Sequence, residues 1–275
     1  MSTSFTHLVR LPYELWTNLP IWTKATICLT IPTTIFLSGW FMNTYRKWSA
    51  MGQGGLPRNV FGFALDRFLW FFVASGDLRS QEIYDRPEAL GRGWAAASGD
   101  EKTRARTSFL GDGGLEKRKG AGGRTLPYAF PQRERFAREW QVPKVKEAYV
   151  SAFQRLCAES KDTQVRTPSR KRHGDALFLR NTAATPAVAS ASKGEIAHIH
   201  TSDLSAHVVL SLADAKEVVA KGWGQRHSLS GTSILPLGWT MLYVPRTVEE
   251  VDVMIGIMRA AVGFMRSNVG REKAR

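Results

Sequence analysis

Four of the six histidines in this chain, His198, His200, His207 and His227, fall between positions 198 and 227. His198 and His200 lie in the run EIAHIH, 195–200, and the alternation of side chains along a strand puts both on one face. The connector TSDLS predicts a hairpin into AHVVLSL, 206–212. His207 on the second strand then stands opposite or diagonal to the pair. Imidazole titrates near neutral pH and is costly to bury idle, so three on one hairpin face point to chemistry rather than to core filling. Two chemistries compete. In one, His198, His200 and His207 ligate a divalent metal such as Fe(II), Mn(II) or Zn(II) as a facial set. Asp203 or Glu195 would add a carboxylate, although a regular strand turns Glu195 to the opposite face. In the other, no metal is involved: one histidine takes a proton from an acidic hydroxyl and others hold the resulting anion by hydrogen bonds.

A second signal is GWGQRH, 222–227. Gly222 and Gly224 let the backbone turn sharply and approach a ligand closely. Trp223 can stack on a planar ring, Gln225 offers a donor and an acceptor, and Arg226 can pair with an enolate or phenolate. The competing reading is a helix C-cap followed by a loop, with Trp223 plugging the core. The chain has no Gly-x-Ser-x-Gly elbow, phosphate-binding loop or dinucleotide fingerprint, so the common hydrolase, nucleotide and NAD chemistries lack support.

The elements that must position these residues are legible in outline. Pro143 suits the first turn of a helix, and Val145, Ala148, Tyr149, Ala152, Phe153 and Leu156 follow at helical spacing. A strand is predicted over 176–180, then the histidine hairpin. Ser211 and Asp214 resemble a capping box opening a helix over 213–221, which Gly222 ends. WTMLYVP, 239–245, reads as another strand. Thr247 and Glu250 form a second capping box, followed by the apolar stripe Val251, Met254, Ile255, Met258, Ala261, Val262 and Met265. Mostly consecutive strands without regular interleaving of helices predict a small α+β domain over 125–275: a mainly antiparallel sheet with helices on one face.

The preceding residues have other tasks. ATICLTIPTTIFLSGWFM, 25–42, carries no charge and is long enough to cross a bilayer as a helix, with Trp22 and Trp40 near its ends. Its length and its flanks favour an uncleaved anchor over a signal peptide, so residues 1–50 are assigned to a tail and a transmembrane helix. Arg46, Lys47 and Arg58 after the span outnumber Arg10 and Lys24 before it, which orients the C-terminal domain to the cytosol. A single-pass protein of the endoplasmic reticulum or another internal membrane is expected. Within 51–90, VFGFALDRFLWFFVAS is either an interfacial helix with Phe68, Trp70, Phe71 and Phe72 at headgroup level or a core helix interrupted by Asp66 and Arg67. Residues 91–124, rich in Gly, Ala, Lys and Arg without apolar period, read as a basic loop or insertion. The net charge of +14 favours an anionic partner. With no zinc-finger spacing or RNA-recognition signature, that partner is the lipid bilayer and not nucleic acid. Two cysteines, Cys28 and Cys157, do not make a disulfide framework.

EIAHIH, the following His207, KEVVAKGWGQRH, WTMLYVPR and the final helix ending AAVGFM resemble the fungal luciferase family: the 3-hydroxyhispidin luciferase of luminous mushrooms and its luciferase-domain relatives. IYDRP at 83–87, GGRTLP and PQRER within 122–135, and the N-terminal anchor extend the resemblance. Ser228 departs from it, standing where a proline is expected. The resemblance implies an oxygenase with no organic cofactor and with O2 as co-substrate. Oxygen adds to an ionised hydroxypyrone, a peroxide forms and loses carbon dioxide, and an excited product emits light. From the reading of the residues themselves, His198, His200, His207 and His227 are expected to be the catalytic residues. Glu195, Trp223, Gln225 and Arg226 bind a small hydroxypyrone or polyphenol, and a divalent metal remains an alternative.

Overall fold

The computed structural model describes residues 15–52, 54–74, 76–90, 92–120, 125–133, 142–167, 175–200 and 203–269. His7, His173, Thr201, Ser202 and part of the 122–135 motif lie outside them. The chain divides into two compact units, 1–50 and 51–275.

The first unit holds one long helix, α1, Ile21–Ala50. At 1.5 Å per residue its 30 residues span about 45 Å. It is the one helix among the described residues long and apolar enough to cross a membrane, with a mean hydropathy of 1.5 over its best window. Thr26, Thr30 and Thr44 donate their hydroxyls to the carbonyls four residues back, which hides these polar groups within the helix.

The second unit is α+β. Its short first helices are α2 (Val60–Phe72), α3 (Glu82–Asp85), α4 (Arg92–Ala96) and α5 (Gly99–Ala105). Helix α6 (Pro143–Glu159) follows, starting with Pro143 as expected. Then come β1 (Thr163–Arg166), β2 (Ala176–Leu179), β3 (Glu195–Ile199) and β4 (Ala206–Val209). Helix α7 (Leu212–Ala220), β5 (Gly224–Arg226), β6 (Trp239–Leu242) and α8 (Val248–Met265) complete it. Every pairing is antiparallel, in the order β1-β2-β3-β4-β6-β5. Sequence reading found neither β1 nor β5; the latter lies inside GWGQRH, where a cap and a loop were the alternative.

One sheet face supplies Leu177, Leu179, Ala197, Ala206, Val208 and Leu242 to the apolar core. Helices α6 and α8 pack on each other, and α8 lies against β3 and β4. In α8, Met254, Ile257, Met258, Ala261 and Met265 are fully buried, so the predicted stripe is core. Burying each of its larger side chains is worth about 1.5–3 kcal/mol relative to leaving it exposed.

The capping boxes differ from expectation in an instructive way. Ser211 and Thr247 accept from the backbone N–H of Asp214 and Glu250, but neither acid reaches back. Asp214 instead accepts from Ser108 Oγ and Phe109 N, and Glu250 is held by Arg118 and Arg246. The complete box is Ser98 with Glu101, which opens α5. Residues 92–118, which composition marks as loop or insertion, are thus tied to α7 and α8 by specific polar contacts. Arg118, 5% exposed, donates to Val244 O at 2.6 Å as well as to Glu250.

Candidate functional site

The histidine cluster forms on the sheet face away from the apolar core. His198 is directly opposite His207 across the β3–β4 pair. The backbone of His200 and that of Ser205 and Leu204 close the hairpin, with His200 N donating to Ser205 O at 2.8 Å. The ring centroids of His198, His200 and His207 are 4.6–5.3 Å apart. His227 follows β5, donates its N–H to Trp239 O, and sets its ring 5.1 Å from that of His207. All four are at most 5% exposed.

Glu195 joins them against the expectation for a regular strand. His198 pairs with Ala176 and Ala197 with Leu177, but Phe178 then faces Glu195 rather than Ile196. Ile196 is the extra residue of a β-bulge. A bulge reverses the alternation beyond it, so Glu195 emerges on the face of Phe178 and His198. Its Oε1 lies 2.6 Å from His198 Nδ1.

Hydrogen bonding fixes several tautomers. Ser205 Oγ sits 2.9 Å from both Asp203 oxygens, which as a carboxylate only accept. The serine proton therefore goes to Asp203, and Ser205 accepts from Nδ1–H of His200 at 2.8 Å. His200 therefore keeps the Nε2 lone pair. His227 is the converse: its Nδ1 accepts from Leu229 N at 3.1 Å, so Nε2 bears the proton. The approach of Glu195 Oε1 to His198 Nδ1 is an ion-pair contact rather than an aligned hydrogen bond. One nitrogen from each of His198, His200 and His207 lies within 4.8 Å of the other two, a geometry able to hold a metal ion.

A cavity of about 430 Å³ opens beside this cluster. Phe130, Phe178 and Trp239 give it aromatic walls, Glu195 and His227 its acid–base groups, and Arg166 and Lys193 its positive charge. The Arg166 guanidinium lies 4.1 Å from the centre of the Phe178 ring. A larger space of about 490 Å³, beside Trp94, Leu237 and Phe264, is lined by no ionisable group and offers no comparable chemistry.

Residues 125–133 cover this face and are themselves held by α2. Asp66, fully buried, accepts from Phe130 N at 2.7 Å and pairs with Arg67, which donates to Pro127 O and stacks on Tyr128. Burial pushes the Asp66 carboxyl up, against the lowering effect of these hydrogen bonds. Phe130 in turn rests 5.3 Å from His227, and Arg133 reaches within 4.0 Å of Asp203. The two charges that seemed to interrupt an apolar helix are thus the anchor of the site's cover. The opposite side of α2 leaves Phe61, Phe68, Phe71 and Phe72 exposed at 55–75%.

Apart from His227, the GWGQRH residues go elsewhere. Trp223 donates its indole N–H to Glu116 O at 2.7 Å and lies under Arg118. Gln225 bridges Thr125 Oγ1 and Tyr243 OH, so it fastens the cover to the sheet. Arg226, 2% exposed, donates to Ser230 O and Asp77 O. It pairs with Thr240, one residue out of phase with His227, and so is on the face opposite the histidines. Burial pulls its guanidinium down and pushes neighbouring Tyr84 up to about 12. Gly224 is required by its strand neighbour rather than by a ligand: a Cβ there would lie 2.3 Å from Met241 O. None of Trp223, Gln225 and Arg226 lines the cavity. Sequence reasoning missed Phe130, Phe178, Trp239, Arg166 and Lys193, which do. The one available signal was Trp239 at the start of a predicted strand; the others carry no motif.

The luciferase domain family matches residues 193–261, the segment from the bulge through most of α8. A luciferase of Armillaria mellea is 30% identical over 262 residues, 89% of this chain and 88% of its own length. Luciferases of Armillaria ostoyae and Neonothopanus nambi are 46% and 45% identical over 80 residues, about 28% of this chain and 30% of theirs. No solved structure matches. A histidine hairpin within the matched domain, and similarity along nearly the whole chain to the Armillaria mellea protein, place this chain in the fungal luciferase family.

Proposed function

We propose that this protein is a membrane-anchored oxygenase that adds O2 to an ionised hydroxypyrone, 3-hydroxyhispidin or a related polyphenol, with loss of carbon dioxide. The observation that carries the reading is the bulge-directed Glu195, which brings a carboxylate to the wall of an aromatic cavity, with His198 2.6 Å from it. The Glu195 carboxylate takes the proton of the enol, with His198 in close contact with its Oε1. Arg166 and Lys193 hold the enolate, and His227 donates from Nε2 to oxygen charge that develops nearby. Phe130, Phe178 and Trp239 stack on the flat substrate and keep water from the peroxide and from an excited product. Serving such an apolar substrate suits an anchored protein. Helix α1 is long enough to supply the span, the excess of basic residues after it favours a cytosolic second unit, and the exposed phenylalanines of α2 suit the headgroup region.

A second reading, a non-luminescent metal- or small-molecule-binding protein, draws on the mutual approach of His198, His200 and His207. Incubating detergent-solubilised protein with 3-hydroxyhispidin in air, with light and substrate recorded together, separates the two. Substrate loss with light supports a luciferase, and loss in the dark supports an oxygenase that does not channel energy into emission. No loss overturns the assignment to this substrate and leaves the binding reading.

A further inference from the structure

We propose that His198, His200 and His207 form a mononuclear site for a divalent first-row transition metal, with Glu195 and the Asp203–Ser205 pair as its outer shell. The proposal rests on the placement of the site at this cluster but not on its oxygenase activity.

The first argument is geometric. The three candidate ligand atoms already lie within 4.8 Å of one another. Around a tetrahedral ion with bonds of about 2.1 Å they would stand roughly 3.4 Å apart. Ring rotations that move each nitrogen by about 1 Å or less close that gap, since only the outer part of each side chain must move. The hairpin has already brought the backbones together, with His198 paired to His207 and His200 closing the turn. The ordering entropy of assembling the ligands is therefore met by folding of the sheet.

The second argument is the hydrogen-bond direction. A metal-bound histidine almost always donates its other ring N–H to a carboxylate or an equivalent acceptor, which fixes the tautomer and raises the basicity of the ligating nitrogen. Here His198 Nδ1 meets Glu195 at 2.6 Å, and His200 Nδ1 meets Ser205, which is held in turn by Asp203. Each of these two rings thus has an acidic or acid-held group at its Nδ1, on the side where an outer-shell acceptor is required. An all-nitrogen, uncharged ligand set suits zinc, iron, cobalt or nickel and disfavours calcium and magnesium, which take oxygen. Three protein ligands leave a position open, the pattern of catalytic rather than structural centres. Glu195 also lines the cavity, so the proposed centre borders the substrate space.

The test uses full-length protein in detergent, stripped with a chelator and titrated with Co(II) alone. Visible absorption bands that saturate near about one equivalent are expected, together with a rise in the unfolding midpoint. His207→Ala should abolish saturation. Glu195→Gln keeps all three ligands and the side-chain shape, and should weaken Co(II) binding by about 10- to 100-fold; it serves if His207→Ala does not fold. A wild-type protein with no saturable spectrum, or a spectrum indifferent to both substitutions, overturns the site. Because no substrate is present, Co(II) binding without hydroxypyrone turnover overturns only the oxygenase reading, and turnover by protein that binds no Co(II) overturns only the metal site.

Discussion

Replacing Glu195 by Gln tests the central chemical argument. The amide keeps the shape of the side chain and its place on the bulge, but removes the charge beside His198 Nδ1. Removing a charged partner from a buried polar contact costs about 1.5–3 kcal/mol, and Glu195 is 8% exposed. At 1.36 kcal/mol per decade this alone lowers turnover by about 10- to 160-fold. If the carboxylate also takes the enol proton, the loss approaches the range of about 10²–10⁴ typical of a missing general base. The assay is initial substrate consumption and O2 uptake from about pH 6 to about pH 9, with circular dichroism as a control for folding. Activity should recover partly at high pH, where the enol ionises without help. A folded Glu195→Gln protein that retains more than about half of wild-type turnover throughout would refute the assignment of Glu195 as proton acceptor.

Other outcomes follow from the placement of neighbouring residues. Arg226→Ala orphans the carbonyls of Asp77 and Ser230; it should cost about 2–5 kcal/mol and lower the melting midpoint by roughly 5–15 °C, with KM unchanged. A raised KM at unchanged midpoint would instead put Arg226 at the substrate. Gly224→Ala drives a Cβ against Met241 O and should destabilise by about 1–3 kcal/mol; an unaltered melt would mean that β5 and β6 can separate freely. In acid, Glu101 and Glu250 matter. Burial tends to raise both carboxyls. For Glu101 the backbone N–H groups of Ala187 and Ser98 and the Asn268 amide outweigh it, and for Glu250 Arg118 and Arg246 do, so each is held at about 2 against an ordinary 4.5. A depressed carboxyl stabilises the fold fully above its unfolded value and ceases to do so as pH falls through its folded value. The midpoint should therefore be level above about pH 5 and fall between about pH 4.5 and about pH 2. Glu101→Gln should start lower and fall less steeply, and parallel acid curves for the two proteins would contradict this account.

Much of the fold was legible because its signals are local. The stripe in α8, Pro143 at the start of α6 and the alternation in the histidine hairpin each need only a period and a terminus. β1 and β5 were not legible: TQVR and GQR carry a single apolar residue between them, so no hydrophobic alternation marks them. Acids placed three residues after a cap were read as capping boxes, yet Asp214 and Glu250 found stronger partners far along the chain in Ser108 and Arg118.

By itself the sequence determined that three histidines share a face, since His-x-His on one strand and a third across a short hairpin follow from the pleat alone. It determined also that an apolar helix precedes the domain, because the uncharged run 25–42 needs no partner to declare itself. Only the tertiary structure decided which charges attend the histidines. The bulge at Ile196 depends on a pairing mismatch between two strands and reverses the side of Glu195. The cavity walls come from β1, β2, the segment before β3, β6 and the 125–133 cover, none of which shares a local pattern with the others. Arg226 is chemically apt and adjacent in sequence to His227, but strand alternation puts consecutive residues on opposite faces, and its charge is spent on Asp77 and Ser230.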